Sequence, residues 1–240
     1  MRGQLRAMLS EIILIIFYFL ILIYSIIIHE IAHGFSALWL GDKTAKYAGR
    51  LTLNPIKHID FWMTIAVPLM MLIATNWKFA FGGAKPVPYN PYNLKNQRWG
   101  SALVALSGPG SNLLIATFFA ILAKIIRSPL ALKVDLINNT RIADWEAVSL
   151  VVSGSLGSII FVLCIMAVYW NVLLAIFNLI PIPPLDGSKL LFSAISIRVE
   201  TMAFLEQFGF VFLIFFIFFF PGPLSVILNF FWLLFFNLAV

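Results

Sequence analysis

Charge is scarce in this sequence. Asp, Glu, Lys and Arg make up 11% of its 240 residues, against roughly 25% in an ordinary soluble domain. Too few polar side chains remain to coat a globular protein of this size. Disorder is excluded as well, because 62% of the residues are apolar and a disordered chain is poor in them. Cysteine is nearly absent. Cys164 stands alone in an apolar run, which leaves no disulfide framework and no thiolate metal site. It reads as a small buried hydrophobe. Acidic residues number ten against sixteen Lys and Arg, giving a net charge of +6. The basic residues are scattered between apolar runs, so nucleic acid is excluded as a partner and the headgroups of a lipid bilayer are expected. Arg2 and Arg6 before an apolar run imitate a signal peptide, but no small-residue cleavage site follows, and the segment reads as retained. There is no internal repeat and no separable soluble domain.

What is present is apolar sequence in long blocks. A bilayer-spanning helix needs about 20 mostly apolar residues. Residues 12–40, 101–126, 148–180, 202–220 and 224–240 meet that requirement, with Pro221-Gly222-Pro223 marking the turn before the last. The expected fold is an all-α polytopic membrane protein of about five transmembrane helices. It forms a single integral-membrane domain over 1–240, with a core at 12–190 and a C-terminal helical hairpin at 202–240. Residues 59–75 are too short to cross comfortably and carry Pro68. From 76 to 99 the chain is rich in Gly, Pro and Asn, and KFAFGGAKPVPY at 78–89 is expected to form short extended strands. Backbone of that kind is tolerated at membrane depth only where protein or water satisfies it.

The polar minority carries the chemistry. His29-Glu30-Ile31-Ala32-His33 places two imidazoles on one helical face, because residues i and i+4 superpose. Two of the three histidines in the chain fall in this pattern. Clustered ionisable side chains in a membrane helix need compensation, and a bound cation supplies it. One zinc ion per chain suits two imidazoles and a carboxylate, with a position left for water. The ion lowers the pKa of that water to about 7, and Glu30 can take its proton. The third ligand is sought among His58, Asp60 and Asp186. His58 and Asp60 lie in NPIKHID, where a solvated loop is expected. Asp186 follows Pro181, Pro183 and Pro184, which forbid a regular helix, so the chain can project the carboxylate back into the bundle. Gly187 then permits a tight turn.

HEIAHG at 29–34, SGPGSN at 107–112 and NLIPIPPLDG at 178–187 together resemble the site-2 protease family of intramembrane zinc metalloproteases. RLTLNPIKHID and FGGAKPVPYNP resemble its compact branch, which lacks PDZ and CBS domains. The likeness runs from about residue 25 to 190, with Ser188 in place of a frequent second glycine. It implies zinc ligation by His29, His33 and Asp186 and a general base at Glu30. It also implies that Asn112 and Asn178 hold the substrate backbone or the transition state. Buried amides also bridge helices, so that role stays open for both. Gly108-Pro109 reads as a helix entrance.

Three ligands of one ion must lie at similar depth. HExxH is in the second half of its span and Asp186 follows the end of another, so 59–75 cannot cross. It must dip in and return, or lie along the surface. Ten Lys and Arg (43, 46, 50, 57, 78, 85, 95, 98, 189, 198) then share one side and six (2, 6, 124, 127, 133, 141) the other. That asymmetry puts the active site toward the cytosolic side of the cell membrane, although Arg2 and Arg6 alone favour the opposite orientation. The expected activity is hydrolysis of a peptide bond in or near the transmembrane segment of a membrane protein. Gly82 and Gly83 are expected to offer an edge for strand addition by that substrate. A metal-ion transporter or a noncatalytic membrane scaffold are the alternatives, and neither gives Glu30 a general-base role.

Overall fold

A computed structural model describes residues 2–76, 82–96, 98–152, 154–195, 197 and 199–240. The fold is helical, with no strand among the described residues. Among the described residues, five helices are long and apolar enough to cross a membrane: Met8–Trp39, Gly100–Ile125, Leu156–Asn178, Glu200–Phe219 and Pro221–Ala239.

The first of these belongs to α1 (Arg2–Trp39), followed by a single turn, α2 (Thr44–Tyr47). A π-helical turn, Phe61–Ala66, leads into α3 (Val67–Ala74). Next come α4 (Gly100–Ile125), α5 (Leu130–Arg141), α6 (Trp145–Val152) and α7 (Leu156–Asn178). The chain ends with α8 (Asp186–Ala194), α9 (Val199–Phe219) and α10 (Pro221–Ala239). The apolar helix Phe61–Ala74 is about 21 Å long at 1.5 Å per residue. It falls short of the roughly 30 Å hydrocarbon core, as expected of a segment that does not cross.

The chain divides into two compact units. The first comprises residues 1–25, 112–177 and 214–240. Its core is centred on α7, whose Phe161, Val162, Ile165, Met166, Val168 and Val172 are all buried, and Cys164 lies among them. Ala116, Ala120 and Ala123 of α4 are fully buried. Their spacing puts a small-residue stripe on one face, which lets backbones approach closely. Lys133 of α5 is buried too. Its ammonium donates to the carbonyls of Ala123, Lys124 and Ala239, where the unpaired carbonyls of helix C-termini attract positive charge.

The second unit comprises residues 26–111 and 178–213. Here α1 ends in a Schellman motif: Asp42 N–H bonds to the Ala37 carbonyl and Gly41 N–H to that of Leu38. Gly41 has φ +111°, a conformation that glycine alone adopts cheaply. The Asp42 side chain accepts from Thr44 N–H, the Thr44 hydroxyl, Asn90 N–H and the Asn93 amide. The end of the metal-binding helix is thereby tied to the turn Pro91–Asn93.

Several expectations are corrected. The span at 148–180 is broken, with α6 ending at Val152 and α7 starting at Leu156. The Ser155 hydroxyl accepts from Ser158 N–H as an N-cap. Pro221 and Pro223 are not the turn but the first turn of α10, where a missing N–H costs nothing. Pro109 lies inside α4 instead of at a helix entrance. Residues 82–90 form no strand ladder. Residues 78–81 of the expected extended stretch, and Arg198 of the charge tally, lie outside the described residues.

Candidate metal centre

Helix α1 continues unbroken through residues 29–33, so both imidazoles leave the same face. Their Nε2 atoms are 3.0 Å apart. Asp186 Oδ2 lies 3.1 Å from each of them. Among the described residues, these three form the one group of His, Cys, Asp and Glu able to hold a metal ion. His29 and Asp186 are buried, and His33 is slightly more open.

The protonation pattern follows from the neighbours. His33 Nδ1 is 2.7 Å from the Val104 carbonyl oxygen. A carbonyl cannot donate, so Nδ1 carries the hydrogen and the neutral ring presents a bare lone pair at Nε2. Asp186 presents its carboxylate oxygen Oδ2 to both Nε2 atoms, and an ionised carboxylate offers acceptor lone pairs only. Lone-pair atoms thus converge on one point, an arrangement that a cation stabilises. Zinc–ligand distances of about 2.0–2.2 Å at tetrahedral angles separate ligand atoms by roughly 3.3 Å. The triangle seen here is close to that, and the donor set fits zinc.

Local sequence explains the convergence. Gly108 of α4 faces the two rings, and a Cβ there would lie 2.5 Å from His33 Nε2 and 2.7 Å from His29 Cε1. Only glycine leaves room for both imidazoles. Leu179 to Leu185 run without regular helix between α7 and α8, as the prolines require. Asp186 then opens α8, where an anion favours the helix N-terminus. Gly187 serves close packing instead of a turn: a Cβ would collide with the Leu179 and Ile180 carbonyls. Lys189, one helical turn on, places its ammonium 3.8 Å from Asp186 Oδ1. One carboxylate oxygen therefore faces a cation and the other the histidines.

The remaining predicted residues are placed as follows. Glu30 Oε2 accepts the Val87 N–H at 2.8 Å. Asn112 is completely buried; its amide donates to Asn171 Oδ1 and to the Ser25 carbonyl. Asn178 is half-buried at the end of α7. Gly82 is pressed against Pro68 and Met63, whereas Gly83 has no neighbour within 4 Å of a Cβ position. His58 and Asp60 stand outside the metal cluster. His58 is buried, not solvated, with Nε2 on the Thr52 carbonyl, and Asp60 caps the π-helical turn through Trp62 and Met63 N–H. Sequence reading missed Val104, the Gly108 contact, Lys189 and the Val87 amide. Helical spacing from Asp186 was a signal for Lys189; a backbone carbonyl or amide gives none.

Five spans with a His-His-Asp cluster, and a carboxylate beside the first histidine, define an intramembrane metallohydrolase. Sequence comparison narrows the class: the chain belongs to peptidase family M50, whose profile matches residues 17–221. It is 33% identical over 198 residues to a Bacillus subtilis (strain 168) protein named "Putative zinc metalloprotease YwhC", covering 82% of this chain and 78% of that one. Two proteins named "Putative zinc metalloprotease Rip2" are also similar. The one from Mycolicibacterium smegmatis is 26% identical and matched over 68% of this chain and 51% of its own length. The Mycobacterium tuberculosis protein is 24% identical, over 79% and 62%. No solved structure matches the chain. The protein is a multi-pass membrane zinc metalloprotease of the site-2 type.

Proposed function

We propose that the protein hydrolyses peptide bonds in or beside the transmembrane segments of membrane proteins, at the cytosolic side of the cell membrane. The observation that carries this reading is the triangle of His29, His33 and Asp186 with Glu30 adjacent on the same helix. His29, His33 and Asp186 would hold the ion, which supplies Lewis acidity to the scissile carbonyl and acidifies the attacking water. The Glu30 carboxylate takes the proton released by that water and returns one to the leaving amine. Asn178 is assigned to the substrate backbone. For Asn112, its bonds to Asn171 and Ser25 support the bridging of helices. Residues 1–240 are read as one protease domain, because α1, α4, α7 and α9 each run from one unit into the other without interruption.

A substrate helix must unwind before its carbonyl is reachable, and an extended segment that pairs with it stabilises the unwound form. The course of residues 82–90 supports this use. Gly83 and Lys85 each bond inward through both backbone groups, to Met63, the Thr64 hydroxyl, His58 and Arg50. Alternate residues of an extended chain face opposite edges, so Ala84 turns its N–H and carbonyl outward, and Pro86 and Pro88, which have no N–H, their carbonyls alone. Gly83 adds open space on this segment.

The test is cleavage of a helix-destabilised transmembrane substrate by the purified protein in detergent, with and without chelator. Wild type should cleave, chelator should stop it, and Glu30→Gln should abolish cleavage while zinc content stays at one per chain. Cleavage by Glu30→Gln at the wild-type rate would remove Glu30 from the reaction; metal flux without proteolysis would favour a transporter.

A further inference from the structure

Glu30 does not point into an empty site. Its Oε2 accepts a hydrogen bond from the Val87 amide, and Val87 belongs to the non-helical segment 82–90. The donor is held from several directions. Pro86 and Pro88 flank it, and a residue before proline is confined to extended backbone. Two residues earlier, Lys85 is anchored through its N–H to the His58 carbonyl and through its carbonyl to buried Arg50. The Val87 side chain is itself buried, against Gly34 of α1. Gly34 has no room for a Cβ, which would lie 2.9 Å from Val87 Cγ1. A glycine one turn beyond Glu30 on α1 thus admits the side chain whose amide reaches the carboxylate.

From this we infer that the Val87 amide is the positioning donor for the general base. It occupies Oε2, leaves Oε1 for the proton in transit, and fixes the carboxylate plane. The segment proposed to align substrate therefore also sets the base. This rests on the assignment of Glu30 as base. Val87 is a positioning residue, since its backbone acts through Glu30 and touches no reacting atom.

Two measurements test it on the full chain in detergent. The first is kinetic. Val87→Pro keeps extended backbone but deletes the N–H, whereas Val87→Ala keeps the N–H and deletes the packing. A hydrogen bond to a charged group predicts a fall of about 10–100-fold in kcat for Val87→Pro, with KM and zinc content unchanged; Val87→Ala should restore kcat to within about threefold. An unchanged kcat in Val87→Pro, or equal losses of kcat and zinc in both variants, would overturn the proposal. The second needs neither metal nor turnover. In a peptide covering 83–89, the first two residues retain no label and Pro86 and Pro88 have no amide hydrogen, so exchange is read from Lys85, Val87 and Tyr89 alone. In the zinc-free protein Val87 should exchange at least about tenfold faster in Glu30→Ala than in wild type, with Lys85 unaltered. Equal rates refute the inference even if Val87→Pro fails to fold. An inactive Glu30→Gln beside a fully active Val87→Pro would sink this inference alone, while an active Glu30→Gln would sink the assignment of the base.

Discussion

Room is the deciding quantity at the metal-binding residues. Two imidazoles a helical turn apart can meet an aspartate only if the facing helix gives way, and Gly108 is where it does. Gly108→Ala puts a methyl into the His33 ring, with the rigid backbone of α4 behind it. The rings must rotate, and the Val104 hydrogen bond that fixes the His33 tautomer is strained with them. Losses of about 10–100-fold in metal affinity accompany damage to such supporting interactions. We expect that loss in zinc affinity for Gly108→Ala, read by competition with a chromophoric chelator, with helix content by circular dichroism unchanged. Full affinity would mean the rings tolerate the methyl. His29, Glu30 and His33 were legible because ionisable groups in an apolar helix have so few other uses. Gly108 was not, because a glycine in SGPGSN says nothing of which side chain will need its missing Cβ.

Among the elements, the end of α1 and the connection that follows it were unequally readable. Its C-terminus was written in Leu40-Gly41, which permits the Schellman turn. The length of the next connection was not, because Asp42 acts across 48 residues to bind the Asn90 amide, and sequence spacing carries no trace of that. Helix α5 escaped for a related reason. Its buried face includes Lys133, a charge that a hydrophobic pattern counts as exposed; helix-end carbonyls compensate it. The break between α6 and α7 was lost inside a run apolar on both sides. Asp42 makes the fastening of α1 pH-dependent. Burial alone would raise its carboxyl, but the bonds from Thr44, Asn93 and Asn90 prevail and lower it. A carboxyl lowered on folding contributes stability that is complete above its unfolded value near 3.9 and disappears as pH falls through the lower folded one. Asp42→Ala should therefore cost about 1.5–3 kcal/mol at pH 7. In thermal unfolding in detergent, the gap from wild type should narrow progressively below about pH 4. A constant gap from pH 7 to pH 3 would show that the lost bonds do not depend on the charge.

For the molecule as a whole, orientation in the bilayer is what composition addresses and the fold alone leaves open. Five helices can cross, and the helix Phe61–Ala74 is too short to add a sixth crossing. With that segment on one side, the lysines and arginines divide ten against six, and the larger group accompanies the metal-binding end of α1. Were 61–74 to cross, the bias would vanish and the Asp186 carboxylate would be parted from the histidines by the hydrocarbon core, in conflict with the 3.1 Å contacts. The chain offers a clean test. Its single cysteine, Cys164, is 2% exposed in an apolar core, out of reach of a reagent dissolved in water. Lys46→Cys in α2 and Ser128→Cys between α4 and α5 can then be labelled over a low background. A membrane-impermeant maleimide added to intact cells should modify Ser128→Cys and spare Lys46→Cys, which reacts only after lysis. The reverse pattern would put the active site on the outer face and give Arg2 and Arg6 the decisive vote. Labelling of both in intact cells would mean an even number of crossings between them, either because 61–74 crosses as well or because α4 does not, and the five-span arrangement would fall with it.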